Sequence, residues 1–332
     1  MMEFTSVEAF ILAIGCLGLG MIMLIRGGDW AIDGAVYVAR HFGISPLIVG
    51  FTIVAFGTSF PELLVSLTAH LNGSSGIAVG NVLGSNVANV LLVIGATAVI
   101  ATVHVVPRAL MRDLTMMMFS TAVLLILFLY GGISQGAAMG MVGILIAYVF
   151  WQYSMAGKGE IPMEEVEEPE FERLRTAMIY LFLGFAAIAL GAEFLVRGAK
   201  VSATVIGVPD AVIGLSVIAI GTSLPELSTC IIAARRGQSD LVVGNIIGSN
   251  VFNILMILGV TGSIKPYFTA DIVPQLVNFD MWVMAGVSGL FTVMLLFYKK
   301  ITKPLGYVFL AGYIAYMLAT YLYGFSELHK GI

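Results

Sequence analysis

Residues 50–62 read GFTIVAFGTSFPE, and residues 214–226 read GLSVIAIGTSLPE. A second pair of segments follows, with VGNVLGSNVAN at 79–89 and VGNIIGSNVFN at 243–253. Both pairs are separated by 164 residues (50 to 214, and 79 to 243), and 7 of 13 and 8 of 11 positions are identical. Similarity at one fixed offset indicates an internal duplication. The chain is therefore built from two related halves.

The composition is that of a membrane protein. Of 332 residues, 59% are hydrophobic and 11% are charged, against roughly 25% charged in a soluble domain. The mean hydropathy is +1.00, which excludes an ordinary soluble fold because such a fold must cover its exterior with polar groups. A spanning helix needs about 20 mostly apolar residues. Ten runs qualify: 7–25, 45–71, 77–101, 114–131, 137–155, 176–195, 209–234, 241–262, 281–298 and 304–323.

Five spans in each half make the duplication an inverted one, because an odd number of crossings starts the second half from the opposite side of the membrane. Inverted repeats with interrupted helices are typical of secondary transporters, whose site lies near the midplane at the repeat interface. We predict an all-α integral membrane fold of ten helices, with broken helices at the midplane. The domains are a first repeat at 1–156 (core 45–101), an acidic linker at 157–174 and a second repeat at 175–332 (core 209–262).

The basic residues are unevenly distributed over the connections between spans. With ten spans, 12 of the 16 Lys and Arg residues fall on one side and 4 on the other. The positive-inside rule then places both termini outside the cytoplasm and the linker 157–174 inside it. The linker is interpreted as a solvated acidic segment, because it lacks the ligand spacing of a Ca²⁺-binding loop. No cleaved signal peptide is expected, since no basic segment precedes the first apolar run.

Two glutamates, Glu62 and Glu226, occupy matching positions deep in the second and seventh spans. An ionisable residue at such depth costs about 2.5–3.5 kcal/mol on insertion scales and marks a functional site by default. Protonation or a buried base would be the structural explanation, but these spans contain no Lys or Arg. We therefore interpret the two carboxylates as ligands for a cation.

A proline precedes each glutamate, at Pro61 and Pro225. Proline inside a helix removes one N–H donor and displaces the carbonyl four residues earlier, which belongs to Gly57 or Gly221. Freed carbonyls at membrane depth require protein, water or an ion as a partner. The GTSxPE segments are therefore predicted to interrupt their helices and to offer backbone oxygens.

The repeated segments also supply hydroxyl and amide oxygens at matched positions. These are Thr58, Ser59, Thr222, Ser223, Ser85, Asn89, Ser249 and Asn253. An all-oxygen site suits hard cations, and Ca²⁺ takes six to eight oxygen ligands in flexible geometry. Mg²⁺ fits less well because it sheds its waters reluctantly. No His or Cys is placed to bind a softer metal, since all four histidines fall near span ends or outside the spans.

In its paired GTSxPE and GNxxGSNVxN motifs the chain resembles the Ca²⁺/cation antiporter superfamily, and the prokaryotic Na⁺/Ca²⁺ exchanger branch in particular. The likeness covers both halves. It implies electrogenic exchange of several Na⁺ for one Ca²⁺ by alternating access, with spans 1 and 6 sliding past the rest. It also implies that Glu62 and Glu226 bind Ca²⁺ together with the Thr58 and Thr222 carbonyls. The implied Na⁺ shell comprises Ala55, Ser59, Ser85, Asn89, Ala219, Ser223, Ser249 and Asn253.

Two details of the resemblance bear on the coupling ion. Proton-coupled relatives typically carry Asn where Thr58 and Thr222 stand, which favours Na⁺ here. K⁺-dependent relatives place Asp where Asn253 stands, which makes K⁺ co-transport less expected. A Ca²⁺/H⁺ antiporter and, in another class, a passive cation channel remain as alternatives.

The remaining expectations concern enzyme activity, partners and location. We expect no enzyme activity, because neither an H-E-x-x-H motif nor a nucleophile–base pair is present in the spans. The expected partners are inorganic cations and the lipid bilayer, with no cofactor, no nucleic acid and no obligatory protein partner. The expected location is a prokaryotic plasma membrane.

Overall fold

A computed structural model describes residues 6–156, 173–205, 221 and 223–330. Within these residues nine helices are long and apolar enough to cross a membrane. These nine are α1 Ser6–Phe42, α2 Pro46–Leu71, α3 Ser75–Ile100, α4 Pro107–Leu129, α5 Gln135–Ala156, α6 Leu174–Val205, α8 Ser239–Ile264, α9 Leu276–Phe297 and α10 Lys303–Lys330. The shorter helix α7 is described over Leu224–Arg235. The predicted seventh span, 209–234, lies largely outside the described residues, and α7 is its described end. The predicted linker, 157–174, lies outside them except at its last two residues.

Helices α1 and α6 extend well beyond the predicted runs 7–25 and 176–195. In α1 the helix continues through Asp29 and Asp33, which sequence reasoning placed beyond its end. Arg236, at the end of α7, donates a hydrogen bond to Asp29 at 2.6 Å and another to Asp33. Because these charges are paired across helices, the polar stretch remains helical.

The two long helices pack together along a seam of glycines. Three glycines of α1, Gly20, Gly27 and Gly34, recur every seven residues, and a Cβ atom added at any of them would meet a glycine or alanine carbonyl of the antiparallel α6. A Cβ atom added at Gly27 would lie 2.8 Å from the Gly184 carbonyl oxygen, and one added at Gly20 would lie 2.7 Å from that of Gly191. Small residues permit this approach of backbones within a membrane. The three glycines thus join α1 closely to α6.

The third helix of each repeat crosses over to the other repeat. Helix α3 packs against α10, and α8 packs against α5 and α2. Gly244 and Gly248 make the α2 contact possible, because a Cβ atom at either would lie 2.3 Å from the carbonyl oxygen of Leu47 or Phe51. Every residue of helix α8 from Leu241 to Gly259 is buried. The repeats therefore interlock, and α8 lies at the centre of the bundle.

Short strand pairs tie the connections together on two opposite faces. Strand β1 (Val103–His104) pairs with β4 (Lys300–Ile301), and β2 (Gly132–Ile133) pairs with β3 (Tyr267–Phe268), both antiparallel. The backbone N–H of His104 also donates to Ser239 before α8. Each contact joins two connections that are separated by an even number of helices. Connections so separated must lie on the same face of the membrane if each helix crosses it once. The assignment of the more basic face to the cytoplasm stays a prediction.

The glycine seam gives a stability prediction. Changing Gly27→Ala inserts a methyl group against the α6 backbone, and overpacking of this kind costs about 1–3 kcal/mol. We expect a lower Tm for the purified protein in detergent. The control is Gly18→Ala on the same helix, where no atom lies within 4 Å of the added Cβ atom. An equal Tm for both variants would contradict the close packing of α1 on α6.

Candidate functional site

Helix α2 departs from regular α-helical geometry next to the first motif. Residues Gly50–Val54 form a π-helical turn, after which Ala55 resumes the α-helix, and Pro61 is accommodated inside it. Widened turns of this kind occur frequently at functional sites. The interruption predicted at the GTSFPE motif itself is therefore wrong for α2: the α-helix runs from Ala55 through Pro61 to Leu71, and the irregular turn lies before the motif, at Gly50–Val54.

In the second repeat, the motif meets the start of α7. Ser223 is the N-cap residue of the helix, Leu224 begins it, and Pro225 stands in its first turn. Proline is tolerated there because its missing N–H would have no helical partner. Two predicted site residues of this segment, Ala219 and Thr222, lie outside the described residues.

The two predicted carboxylates are buried and lie close to the repeat interface. Glu62 and Glu226 are each 1% exposed. The Ser59 hydroxyl of α2 donates to Glu226 Oε1 of α7 at 3.3 Å. The first motif of one repeat therefore contacts the glutamate of the other, as a shared site requires.

Unpaired oxygens concentrate at the predicted site. Eleven buried side-chain N and O atoms of the described residues have no hydrogen-bond partner, and six of them belong to predicted site residues. All six are oxygens: Glu62 Oε2, Glu226 Oε2, Ser85 Oγ, Ser223 Oγ, Asn89 Oδ1 and Asn253 Oδ1. A buried polar atom without a partner costs about 1–3 kcal/mol, and more when it is charged. Such a group of oxygens can be satisfied together by a cation.

Other predicted site residues are also buried, but their hydroxyl groups already donate hydrogen bonds to neighbouring residues. The Thr58 hydroxyl donates to Asn245 Oδ1 at 3.3 Å, and the Ser249 hydroxyl donates to the same oxygen at 3.4 Å. Ala55 is fully buried. The hydroxyl of Thr58 thus has acceptors on α8 and, at 3.4 Å, in the Ala55 carbonyl of its own helix, whereas the ligand role implied for Thr58 uses its backbone carbonyl.

Sequence reasoning missed a set of supporting asparagines. Asn245 accepts the two hydroxyls described above, and its repeat mate Asn81 donates to the Glu62 carbonyl at 3.3 Å and to Ser66 at 2.9 Å. Asn86 and Asn250 also contact site residues of the opposite repeat. The signal was present, since all four stand in the repeated GNxxGSN segments at the common offset.

Two further acids are buried within the spans, and sequence reasoning did not single them out. Asp113 on α4 accepts from Tyr148 at 2.6 Å and from Gln152, both on α5. Asp280 on α9 accepts from Tyr316 on α10 at 2.9 Å. Each acid is thus bonded by the next helix of its own repeat, which distinguishes it from the two glutamates. Among the described residues no three His, Cys, Asp or Glu side chains gather at one place.

The model of the sodium/calcium exchanger protein family matches residues 12–154 and 176–322, which together span most of the chain. The chain belongs to this family. It is 31% identical to the sodium/calcium exchanger MaX1 of Methanosarcina acetivorans, over 91% of this chain and 97% of that protein. It is 32% identical to the inner membrane protein YrbG of Escherichia coli, over 94% and 97%. Membership identifies a transporter and not an enzyme.

A solved structure of the sodium-calcium exchanger NCX_Mj, soaked with Na⁺ and Sr²⁺, superimposes with a TM-score of 0.76. The identity is 32%, and the match covers 92% of this chain and 97% of that chain. The similarity confirms the exchanger fold, with its two repeats and interrupted helices.

The asparagine contacts of α8 give a prediction for the ion-free exchanger. Changing Asn245→Ala leaves the Ser249 hydroxyl without its acceptor and the Thr58 hydroxyl with only the Ala55 carbonyl, at a cost of about 1–3 kcal/mol. We expect a Tm several degrees below that of the unchanged protein when both are measured without Ca²⁺ and Na⁺. Asn72→Ala, in the exposed connection between α2 and α3, is the control and should leave the Tm unchanged. A Tm equal to that of the control would show that the contacts of Asn245 do not stabilise the fold.

Proposed function

We propose that this family member is a secondary active antiporter that exchanges Na⁺ for Ca²⁺ by alternating access. The proposal rests on one observation: six partnerless oxygens, two of them carboxylate oxygens, are buried at the predicted site. Glu62 and Glu226 would bind Ca²⁺ with the backbone carbonyls of Thr58 and Thr222. The Na⁺ shell would add Ala55, Ser59, Ser85, Asn89, Ala219, Ser223, Ser249 and Asn253.

The charge of the site supports a divalent ion that alternates with monovalent ones. Two ionised carboxylates carry a charge of −2, which one Ca²⁺ neutralises. The other four unpaired oxygens come from neutral hydroxyl and amide groups, so they add ligands without further charge. Ca²⁺ accepts such a mixed oxygen set. Several Na⁺ ions would use the same oxygens, which makes the two cargoes competitors.

The relatives support the identity of both ions. MaX1 is named a sodium/calcium exchanger. NCX_Mj is named a sodium-calcium exchanger, and its crystals were soaked with Na⁺ together with Sr²⁺ or Ca²⁺. Thr58 favours Na⁺ over a proton as the coupling ion, because the proton-coupled relatives typically carry Asn at this position.

The contacts of α1 and α6 support them as the moving pair. The glycine seam joins these two helices to each other. Among the described residues their links to the core are fewer: the Ser228 hydroxyl of α7 donates to the Leu24 carbonyl at 2.7 Å, and Arg236 pairs with Asp29 and Asp33. A pair held tightly to itself and loosely to the core can slide as one body, which would open the buried site to alternate sides.

The test of the proposed exchange is Ca²⁺ uptake into proteoliposomes. Vesicles loaded with Na⁺ and diluted into Na⁺-free buffer should accumulate ⁴⁵Ca²⁺, because outward Na⁺ flow drives it inward. Control vesicles are loaded with K⁺ or with an acidic buffer. Uptake driven by the acidic interior alone would contradict Na⁺ coupling, and uptake without any counter-ion would indicate a channel.

The carboxylates can be tested separately with size-matched variants. Glu62→Gln or Glu226→Gln removes one charge from beside the ion. We expect the apparent Ca²⁺ affinity of uptake to fall by roughly 100-fold or more, because a unit charge about 4 Å away contributes roughly 4 kcal/mol at an effective dielectric of 20. The control is Glu193→Gln on α6, whose carboxylate is exposed and pairs with Arg197. If Glu62→Gln and Glu193→Gln transport alike, the assignment of Glu62 is wrong.

A further inference from the structure

Four asparagines form two hydrogen-bonded relays between α3 and α8. In the first relay, Asn89 Nδ2 donates to Asn250 Oδ1 at 3.0 Å, and Asn250 Nδ2 contacts Met117 Sδ on α4 at 3.8 Å. All three side chains are buried. The relay therefore runs from a predicted ion-shell residue of the first repeat, through the second repeat, to a thioether of the first.

The second relay is the repeat mate of the first. Asn253 Nδ2 donates to Asn86 Oδ1 at 2.9 Å, and Asn86 Nδ2 contacts Met284 Sδ on α9 at 3.6 Å. Asn86 Nδ2 also lies 3.2 Å from the backbone carbonyl oxygen of Asn250. The asparagines of the two relays correspond at the common offset of 164 residues, so the arrangement occurs twice.

The ends of each relay fix its direction. A thioether sulfur and a backbone carbonyl can only accept hydrogen bonds, so the Nδ2 atoms of Asn86 and Asn250 must face them. The Oδ1 atoms of these two residues then face Asn253 and Asn89, whose own Nδ2 atoms must point back. The Oδ1 atoms of Asn89 and Asn253 are thereby turned away, and both are buried without a partner.

We propose that Asn86 and Asn250 are positioning residues that hold the amide oxygens of Asn253 and Asn89 toward the transported Na⁺. This inference rests on the proposed function. An asparagine without such a partner can rotate its amide by 180° and present N–H donors, which repel a cation. By engaging the donor end, each relay leaves only the acceptor end for the ion.

The backbone places both terminal amides alike. Asn89 and Asn253 are each the first residue of a π-helical turn, Asn89–Val93 in α3 and Asn253–Leu258 in α8. Each follows its repeat's other relay asparagine by three residues. Because the hydrogen bonds cross between repeats, Asn250 acts on Asn89 rather than on its own neighbour Asn253. This crossed pairing can be tested directly.

The test is a set of double-mutant cycles on the purified exchanger. The readout is the Na⁺ concentration that gives half of the maximal rise in Tm, with choline chloride keeping the ionic strength constant. Asn89→Ala and Asn250→Ala should each raise this concentration by roughly tenfold, which corresponds to about 1.4 kcal/mol. Asn250→Ala should add less than about twofold in the Asn89→Ala background, because residues that act through one contact are not additive.

The crossed combination is the matched control. In the Asn253→Ala background, Asn250→Ala should keep its full effect, since Asn250 is not the partner of Asn253. Equal, multiplicative effects in both backgrounds would overturn the inference, because Asn250 would then act as an independent ligand or through general packing. Should Asn250→Ala fail to fold, Met117→Leu replaces it in both backgrounds. This swap keeps the core volume while removing the acceptor that orients Asn250.

The failure of the relay is distinguishable from the failure of the proposed function. If Na⁺-driven Ca²⁺ uptake occurs while the cycles are additive, only the positioning role is wrong. If Asn89→Ala and Asn253→Ala both leave the Na⁺ dependence of Tm unchanged, the ion shell itself is wrong, and the positioning role falls with it.

Discussion

The burial of two carboxylates in the middle of an apolar helix bundle is the constraint on which the rest of the exchanger structure depends. Among the described residues no ion pair includes Glu62 or Glu226. Each costs about 2.5–3.5 kcal/mol to place at membrane depth. Four neutral oxygens of other predicted site residues are also buried without partners. In the proposed function a bound cation satisfies these oxygens, and ion binding is then linked to the stability of the site.

The inverted repeat supplies these buried oxygens because each polar motif occurs twice, once in each half of the chain. Neither repeat encloses the site by itself, because α3 packs on α10 of the second repeat and α8 packs on α5 of the first. The hydrogen bond from Ser59 to Glu226 and the crossed asparagine relays follow the same rule. Two related halves that complete one another at a shared interface are consistent with the proposed alternating access. The pair of α1 and α6, joined to each other by glycines, lies beside that interface.

Much of this was predictable from the sequence, and the exceptions have physical reasons. The apolar runs located the described spans because the bilayer fixes their length, and the repeated motifs located the two glutamates. The π-helical turn at Gly50–Val54 could not be predicted, since hydrophobic periodicity does not distinguish one widened turn. The full length of α1 depends on Arg236, which lies more than 200 residues from Asp29 and Asp33 in the chain. The hydrogen bond between Asn89 and Asn250, on which the proposed positioning role rests, is likewise a contact across the repeats.

The measurement that tests the central claim most directly is an anomalous difference map from crystals of the exchanger soaked with Sr²⁺ as a substitute for Ca²⁺. The account predicts a strong peak between the carboxylates of Glu62 and Glu226 at low Na⁺. It also predicts that the peak disappears when the same crystals are transferred to high Na⁺, because both ions use the same oxygens. A peak at another place in the bundle, or one that high Na⁺ leaves unchanged, would contradict a shared site centred on the two glutamates.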